Sequence, residues 1–226
     1  MKISKIVSAL LLGAMVTFSG CGSDDESNEV MSNTQAQVVP TTYSYTLSVT
    51  NLTAGQPMSP LLVTSNSIFS VGQSASEGLE KLAESGDNST LLDSYGVSGS
   101  GLLRPGSSES ISITTEKQNL SLATMLVKTN DGFAGVDGYD LSSLALNATT
   151  SLYLPVYDAG TEENSETNTT VPGLNGEGYN LARESANIVR VHSGIISNED
   201  GLASSHLSAQ EKFNNPALVV MITRTK

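Results

Sequence analysis

The chain has a single cysteine, no tryptophan, two histidines and only 11 Lys and Arg against 23 Asp and Glu in 226 residues. One cysteine excludes an internal disulfide, and with two histidines it leaves too little for a zinc site. Positive charge is scarce and unclustered, with a formal net charge of -12, which excludes nucleic acid as a partner because phosphate binding needs grouped Lys and Arg. Charged residues make up only 15% of the chain and β-branched residues are frequent, so neither a disordered acidic chain nor a coiled coil fits. Catalytic signatures are also missing. Gly96-Val97-Ser98-Gly99 is followed by Ser100, so there is no G-x-S-x-G nucleophile elbow, and no H-E-x-x-H, P-loop or G-x-G-x-x-G occurs. What remains is an acidic, oxygen-rich, mostly β chain long enough for one substantial domain.

The N-terminus reads as an address. Lys2 and Lys5 precede an apolar stretch from Ile6 to Phe18, shorter than the roughly 20 residues that span a bilayer. It closes on Thr17-Phe18-Ser19-Gly20-Cys21, a bacterial lipobox pattern that predicts cleavage after residue 20 and lipidation of Cys21. Several acyl chains anchor a protein stably without a transmembrane helix. Loss of two lysines and no acids takes the net charge from -12 to -14. Residues 21–42 are polar and acidic with little to bury, which predicts a flexible tether. Gly22, not Asp, follows the cysteine, which in a Gram-negative host is compatible with sorting to the outer membrane, periplasmic or surface-exposed.

Residues 43–226 predict a mainly β domain, an antiparallel β-sandwich with a short helical insertion. Tyr43, Tyr45, Leu47 and Val49 alternate with Ser44, Thr46, Ser48 and Thr50, the mark of a half-buried strand. Further strands are expected at 61–64, 68–71, 97–103, 110–115, 120–127, 151–156, 188–192 and 217–223. One stretch has a helical period: Ser76 can cap a helix carrying Leu79, Leu82 and Ala83, and Gly86 stands at its C′ position. A second short helix, capped by Asn88 or Ser89, covers Leu91 and Leu92. Many short strands without βαβ alternation point to antiparallel packing.

Carboxylates carry the chemistry. Asn130-Asp131-Gly132 follows one predicted strand, and Asp158-Ala159-Gly160-Thr161-Glu162 follows another. Neighbouring strand ends of this kind gather carboxylates at one rim of a sandwich. A hard cation relieves their repulsion and takes several oxygen ligands. Asp158 and Glu162 are four residues apart with Gly160 between, so a tight loop can aim both at one ion, and oxygen-only ligation favours Ca²⁺ over zinc. An ordinary solvated acidic loop has the same spacing. Phe133 stands where an EF-hand needs a second acid. Glu163 and Glu166 read as solvated. His192 alternates within a predicted strand and reads either as a base or metal ligand or, more commonly for such a residue, as a strand-end histidine bonded to backbone. Five Asn-x-Ser/Thr sequons, at Asn51, Asn88, Asn119, Asn147 and Asn168, read as background in a Ser/Thr/Asn-rich chain.

Four segments occur together in order: Asn51-Leu-Thr-Ala-Gly-Gln-Pro-Met-Ser-Pro60, Leu120-Ser-Leu-Ala-Thr-Met-Leu-Val-Lys-Thr-Asn-Asp131-Gly-Phe, Tyr153-Leu-Pro-Val-Tyr-Asp158-Ala-Gly-Thr-Glu162 and Val191-His192-Ser-Gly-Ile195. Over about Tyr43 to Thr223 the chain resembles the spondin N-terminal domain family, known from the extracellular matrix protein F-spondin and from bacterial secreted proteins. That resemblance implies a C2-like β-sandwich that binds calcium, with ligands falling on Asp131, Asp158 and Glu162. Glu162 replaces an aspartate of the animal proteins, and Phe213 stands where bacterial relatives more often carry Trp.

The expected function is a membrane-anchored, non-enzymatic, calcium-binding module for adhesion or ligand binding, with an extracellular protein, glycan or lipid as ligand. A structural envelope lipoprotein, acting through its tether or the acidic loop from Glu162 to Gly178, is the alternative. A calcium-dependent hydrolase ranks third and would need His192 or Asp137 as its base.

Overall fold

A computed structural model describes residues 40–183 and 187–226. The leader, Cys21 and all but the last three residues of the tether lie outside the described residues. In chain order the strands and the helix are β1 (Tyr43–Asn51), β2 (Leu62–Thr64), α1 (Glu77–Ser85), β3 (Val97–Ser98), β4 (Ser108–Thr115), β5 (Asn119–Met125), β6 (Gly132–Asp140), β7 (Thr149–Leu154), β8 (Val156–Asp158), β9 (Arg190–Val191) and β10 (Leu218–Arg224). They form two antiparallel sheets, a four-stranded one in the order β4-β1-β10-β7 and a six-stranded one in the order β3-β2-β5-β6-β8-β9.

The four-stranded sheet follows its sequence pattern closely. Tyr45, Leu47 and Val49 of β1 are buried, as are Ile111 and Ile113 of β4 and Leu218, Val220 and Ile222 of β10. These residues meet Val63, Leu120, Leu122, Ala134 and Val156 of the other sheet in one shared core, which makes the domain a β-sandwich. Each fully buried Leu or Ile contributes about 1.5–3 kcal/mol in removal from water. The outer face is mostly hydroxyl, with Tyr153, Val219 and Met221 on its β7–β10 side: Ser44 pairs with Thr114 at 2.8 Å, Thr46 with Ser112 at 3.2 Å, Thr50 with Ser108 at 2.7 Å and Thr149 with Thr223 at 2.8 Å. Such cross-strand pairs satisfy short polar side chains without offering an apolar edge.

The six-stranded sheet is buried on both faces. Its second face, with Leu62, Ala123 and Phe133, packs against Leu79, Leu82 and Ala83 of α1 and against Ile68 and Phe69. Phe69 meets Phe133 edge-on and tilts against Tyr157, both at 5.0 Å between ring centroids. Helix α1 forms as its pattern requires. The Ser76 side chain accepts from the Leu79 amide, and Gly86 closes the helix in the left-handed region. The second short helix is a single 3₁₀ turn over Ser89–Leu91, and no side chain caps it.

Five expectations change, one of them at 188–192, where only Arg190 and Val191 are in a strand. The turn expected at Asn130-Asp131-Gly132 leads directly into β6, a nine-residue strand that its glycines disguise. At Gly135 a Cβ would stand 2.6 Å from the Leu122 carbonyl oxygen, so the strand needs glycine where β5 approaches it beside a bulge. Residues 68–71 are not a strand. Ile68 and Phe69 are buried because Asp137 of β6 accepts from both of their amides and fastens that segment down. Only Val97 and Ser98 of the stretch 97–103 are in a strand. The run 151–156 is two strands in different sheets. Pro155, which has no amide hydrogen, breaks the ladder where the chain crosses from β7 to β8.

Candidate functional site

The site lies where β5, β6 and β8 end. A compact turn joins β5 to β6: the Leu126 amide donates to Gly132 O at 2.8 Å, and the Thr129 hydroxyl donates to Leu126 O at 2.7 Å while accepting from Gly132 N at 2.9 Å. Gly132 pairs with Asp158 across the ladder, and Ala159 N continues it to Asp131 O at 3.1 Å. The last register step of the sheet thus brings the two predicted acidic loops together.

Asp131 is fully buried. Its Oδ2 accepts from the amides of Thr161 at 2.9 Å and Glu162 at 3.2 Å, so the carboxylate organises the loop that follows β8. Its Oδ1 is equally buried and has no hydrogen-bond partner. Burial, and then the nearby charge of Asp158, push the Asp131 carboxyl up to about 7, against the pull of the two amides. Glu162 is only 8% exposed. Burial and the charges of Glu84, Asp131 and Glu177 push it up to about 8. Both are perturbed in the direction expected of crowded carboxylates removed from water.

Asp158 is placed differently. Strand alternation sends Asp131 to the side of Phe133, towards α1, and Asp158 to the side opposite Tyr157. Asp158 Oδ1 accepts from Gly160 N at 2.7 Å, and Oδ2 accepts from Asn164 Nδ2 at 2.6 Å and from Arg190 Nη2 at 3.0 Å. The loop between Asp158 and Glu162 depends on Gly160, whose φ is +71° and whose Cβ would meet Ile188 O at 2.3 Å. The three predicted residues therefore converge on one sheet end. Asp131 and Glu162 lie close enough for the charge of the first to raise the carboxyl of the second, and Asp158 stands at the same strand end in partnership with Arg190.

A fourth carboxylate joins them. Glu84, in the last turn of α1, is 1% exposed. Its Oε2 accepts from Asn180 N at 3.1 Å, and its Oε1 is buried without a partner. Burial raises its carboxyl above the ordinary range, tempered by Thr161 and Asn180. Asn180 also donates from Nδ2 to Glu162 Oε1 at 3.1 Å, so one residue holds Glu84 and Glu162 side by side. Sequence reasoning missed Glu84 because it flanks an apolar helix face that explains itself. One signal was present: an acid in a helix's last turn opposes the macrodipole, and that turn carries no base. Among the described residues, no group of three or more His, Cys, Asp or Glu side chains is arranged to hold a metal ion.

The other candidates have structural partners. His192 is buried, which lowers its basicity, and its Nδ1 accepts from Gly194 N at 2.9 Å. The neutral ring therefore carries its proton on Nε2 and has no free lone pair for use as a base. Its ring meets Phe213 edge-on at 5.3 Å. Asp137 is occupied with Ser67, Ile68 and Phe69 at the segment it fastens. Glu166 is not a solvated side chain: it accepts from Ile196 N at 2.7 Å, Ser197 N at 2.9 Å and Ser205 Oγ at 2.6 Å, and so ties down the loop after β9. Glu163 is exposed, as expected. Among the described residues no helix is long and apolar enough to cross a membrane. Compared with models of known protein families and with curated proteins, the chain matches none.

Proposed function

We propose that the chain is a calcium-binding β-sandwich module, held at the cell envelope through a lipidated Cys21, that binds an extracellular protein, glycan or lipid ligand without chemical turnover. The observation that carries this reading is Asp131: a fully buried carboxylate whose Oδ1 has no partner, beside two more buried acids. Leaving a charged buried oxygen unpaired is costly, and a cation is the simplest group that satisfies it. The donors are all oxygen, which fits Ca²⁺. Asp131 and Glu162 would hold the ion from the α1 side, and Asp158, the third expected ligand, would have to reach it around the strand end through Oδ1, which accepts only from Gly160 N. The resemblance to the spondin N-terminal domain supports the same three residues. Bound there, calcium would neutralise the cluster and fix the loop between Asp158 and Glu162. Without it, a domain at -14 is repelled by anionic lipid, which favours a glycan or protein ligand bridged through the ion.

Thermal unfolding of the purified chain in EDTA, Mg²⁺ and Ca²⁺, beside Asp131→Asn, tests this. A ligand bound only to the folded state adds about 2.7 kcal/mol at 100 times its Kd. The expected result is a Ca²⁺-specific rise in Tm that Asp131→Asn abolishes. Equal melting in EDTA and Ca²⁺ overturns the reading.

A further inference from the structure

Resting on the calcium reading, we propose that Glu84 is a further ligand of the same ion, so that the cation joins the helical insertion to the end of the six-stranded sheet. Three independent features of the fold lead there. Glu84 Oε1 and Asp131 Oδ1 are the two carboxylate oxygens that are buried and without a hydrogen-bond partner among the described residues. They belong to side chains linked by a short chain of contacts. Asp131 Oδ2 accepts from Glu162 N, Glu162 Oε1 accepts from Asn180 Nδ2, and Glu84 Oε2 accepts from Asn180 N. In each of Asp131 and Glu84, one oxygen is used to shape the protein and the other is left open.

The second feature is the contrast with Glu80, one turn earlier on the same helix. Glu80 is as buried as Glu84, at 2% exposed, but Arg183 grips it with two nitrogens, Nε at 2.8 Å and Nη2 at 2.5 Å. The fold therefore gives one inward-facing acid of α1 a two-point ion pair from its own chain, whereas among the described residues no Lys or Arg pairs with the other, which feels Arg183 only from a distance. The third feature is the helix itself. Glu84 lies against the negative end of the α1 dipole, with no basic residue in that turn. An acid so placed is costly to the helix unless positive charge arrives from elsewhere. A divalent ion held between Glu84, Asp131 and Glu162 meets all three demands, and Glu162, the most exposed of them, would meet it while Asn180 keeps it beside Glu84.

The consequence is a division of labour among the acids. Asp158 and Asp131 set the strand ends, Glu162 closes the loop, and Glu84 brings in α1. Calcium removal should loosen the packing of α1 on the sheet as well as the loop after β8.

The test is calcium titration by calorimetry on the purified, chelator-treated full chain and on Glu84→Gln, Glu84→Asp and Glu163→Gln, with folding of each checked by circular dichroism in EDTA. In parallel, Tb³⁺ replaces Ca²⁺. With no tryptophan in the chain, its luminescence is sensitised by tyrosine, and its lifetime in H₂O against D₂O counts the waters on the ion. Loss of a supporting group around a metal costs about 10–100-fold in affinity, and loss of a ligand should cost at least as much. Glu84→Gln is expected to fall in that range and to gain a bound water. Glu84→Asp keeps the charge but shortens the reach, and should lose affinity as well. Glu163→Gln, which removes an exposed charge from the neighbouring loop, should bind as the wild type does. Wild-type affinity and hydration in Glu84→Gln overturn the inference and leave the calcium reading intact. Weakened binding without an added water overturns it too, since Glu84 would then act only through its field. Failure of the wild type itself to bind Ca²⁺ removes both.

Discussion

The two sheets of this domain are built on different terms. The four-stranded sheet has one face in the core and one in water. Its inner residues are Tyr, Leu, Val and Ile, and its outer residues are mostly Ser and Thr that bond to one another across strands. No acid of the candidate site belongs to it. The six-stranded sheet is covered on both faces and has mostly shorter strands, a bulge at Leu120/Leu122 and glycines within β6. At one end it meets four buried carboxylates, from its β5–β6 turn, the end of β8, the loop that follows and α1. The first is a scaffold whose stability rests on apolar area. The second has given up regularity at one end, where it gathers charges that cannot satisfy each other. Burial of both faces is what makes those charges costly.

The sharpest separation of the two would come from Leu47→Ala. Leu47 is fully buried in the centre of β1, so truncation should cost about 2–5 kcal/mol. The loss of Tm should be the same in EDTA and in Ca²⁺, and a calcium-dependent difference would show that the scaffold is not independent of the site. Gly160→Ala attacks the other sheet. Forcing a side chain into the left-handed region costs about 1–3 kcal/mol, before the collision with Ile188 O. Here the calcium-induced rise in Tm should disappear along with the stability, and a variant that unfolds early but keeps its full calcium response would contradict the role given to this loop.

The pH dependence sharpens the contrast further. Asp131 and Glu162 have folded-state pKa values of about 7 and about 8, raised from ordinary carboxylate values near 4. The folded state therefore holds protons that the unfolded chain has released. The stability linked to them is complete below about pH 4 and is lost as pH rises to about 8. In EDTA, denaturant midpoints should fall between pH 5 and pH 8, and Asp131→Asn should flatten that slope. Calcium, which competes with the same protons, should bind more tightly as pH rises through this window. Glu211 works in the opposite sense. Its burial is outweighed by hydrogen bonds from Lys128 and Ser208, which bring it to about 2, so its contribution is present above about pH 4.5 and lost only in strong acid. The smallest effect belongs to the hydroxyl face: Thr46→Val should change stability by less than about 0.5 kcal/mol and leave the calcium response untouched.

Legibility from sequence divides along the same line. Strands β1, β4, β7 and β10 could be placed to within a few residues because a sheet with one wet face writes its alternation into the chain. Strand β6 could not. Its Gly132, Gly135 and Gly138 interrupt any strand alternation, although Gly135 serves the close approach of β5 and Asp137 the fastening of Ile68 and Phe69. The stretch 68–71 misled in the opposite direction, being apolar because it is fastened under Asp137 and not because it pairs. Asp131, Asp158 and Glu162 stood out in the sequence because Asp131 adjoins Gly132 and Gly160 lies midway between the other two, just past a strand. Glu84 did not, because helical periodicity accounts for its neighbours and gives no hint of what an adjacent acid faces across the fold.

The placement of β1 has a mechanical consequence. Tyr43, where the chain enters the domain, pairs with Thr115 at one pole, while Asn51 reaches the other, where Gln56 bonds to Lys128 three residues before Asp131. A pull between the entry point and whatever is gripped at the acidic pole runs along β1, which is clamped on one side by β4 and on the other by β10. Seven registered pairs with β10 and eight with β4 then resist in shear, together, and do not open one after another like a zip. A domain with this topology meets a pull along β1 with all of those pairs at once.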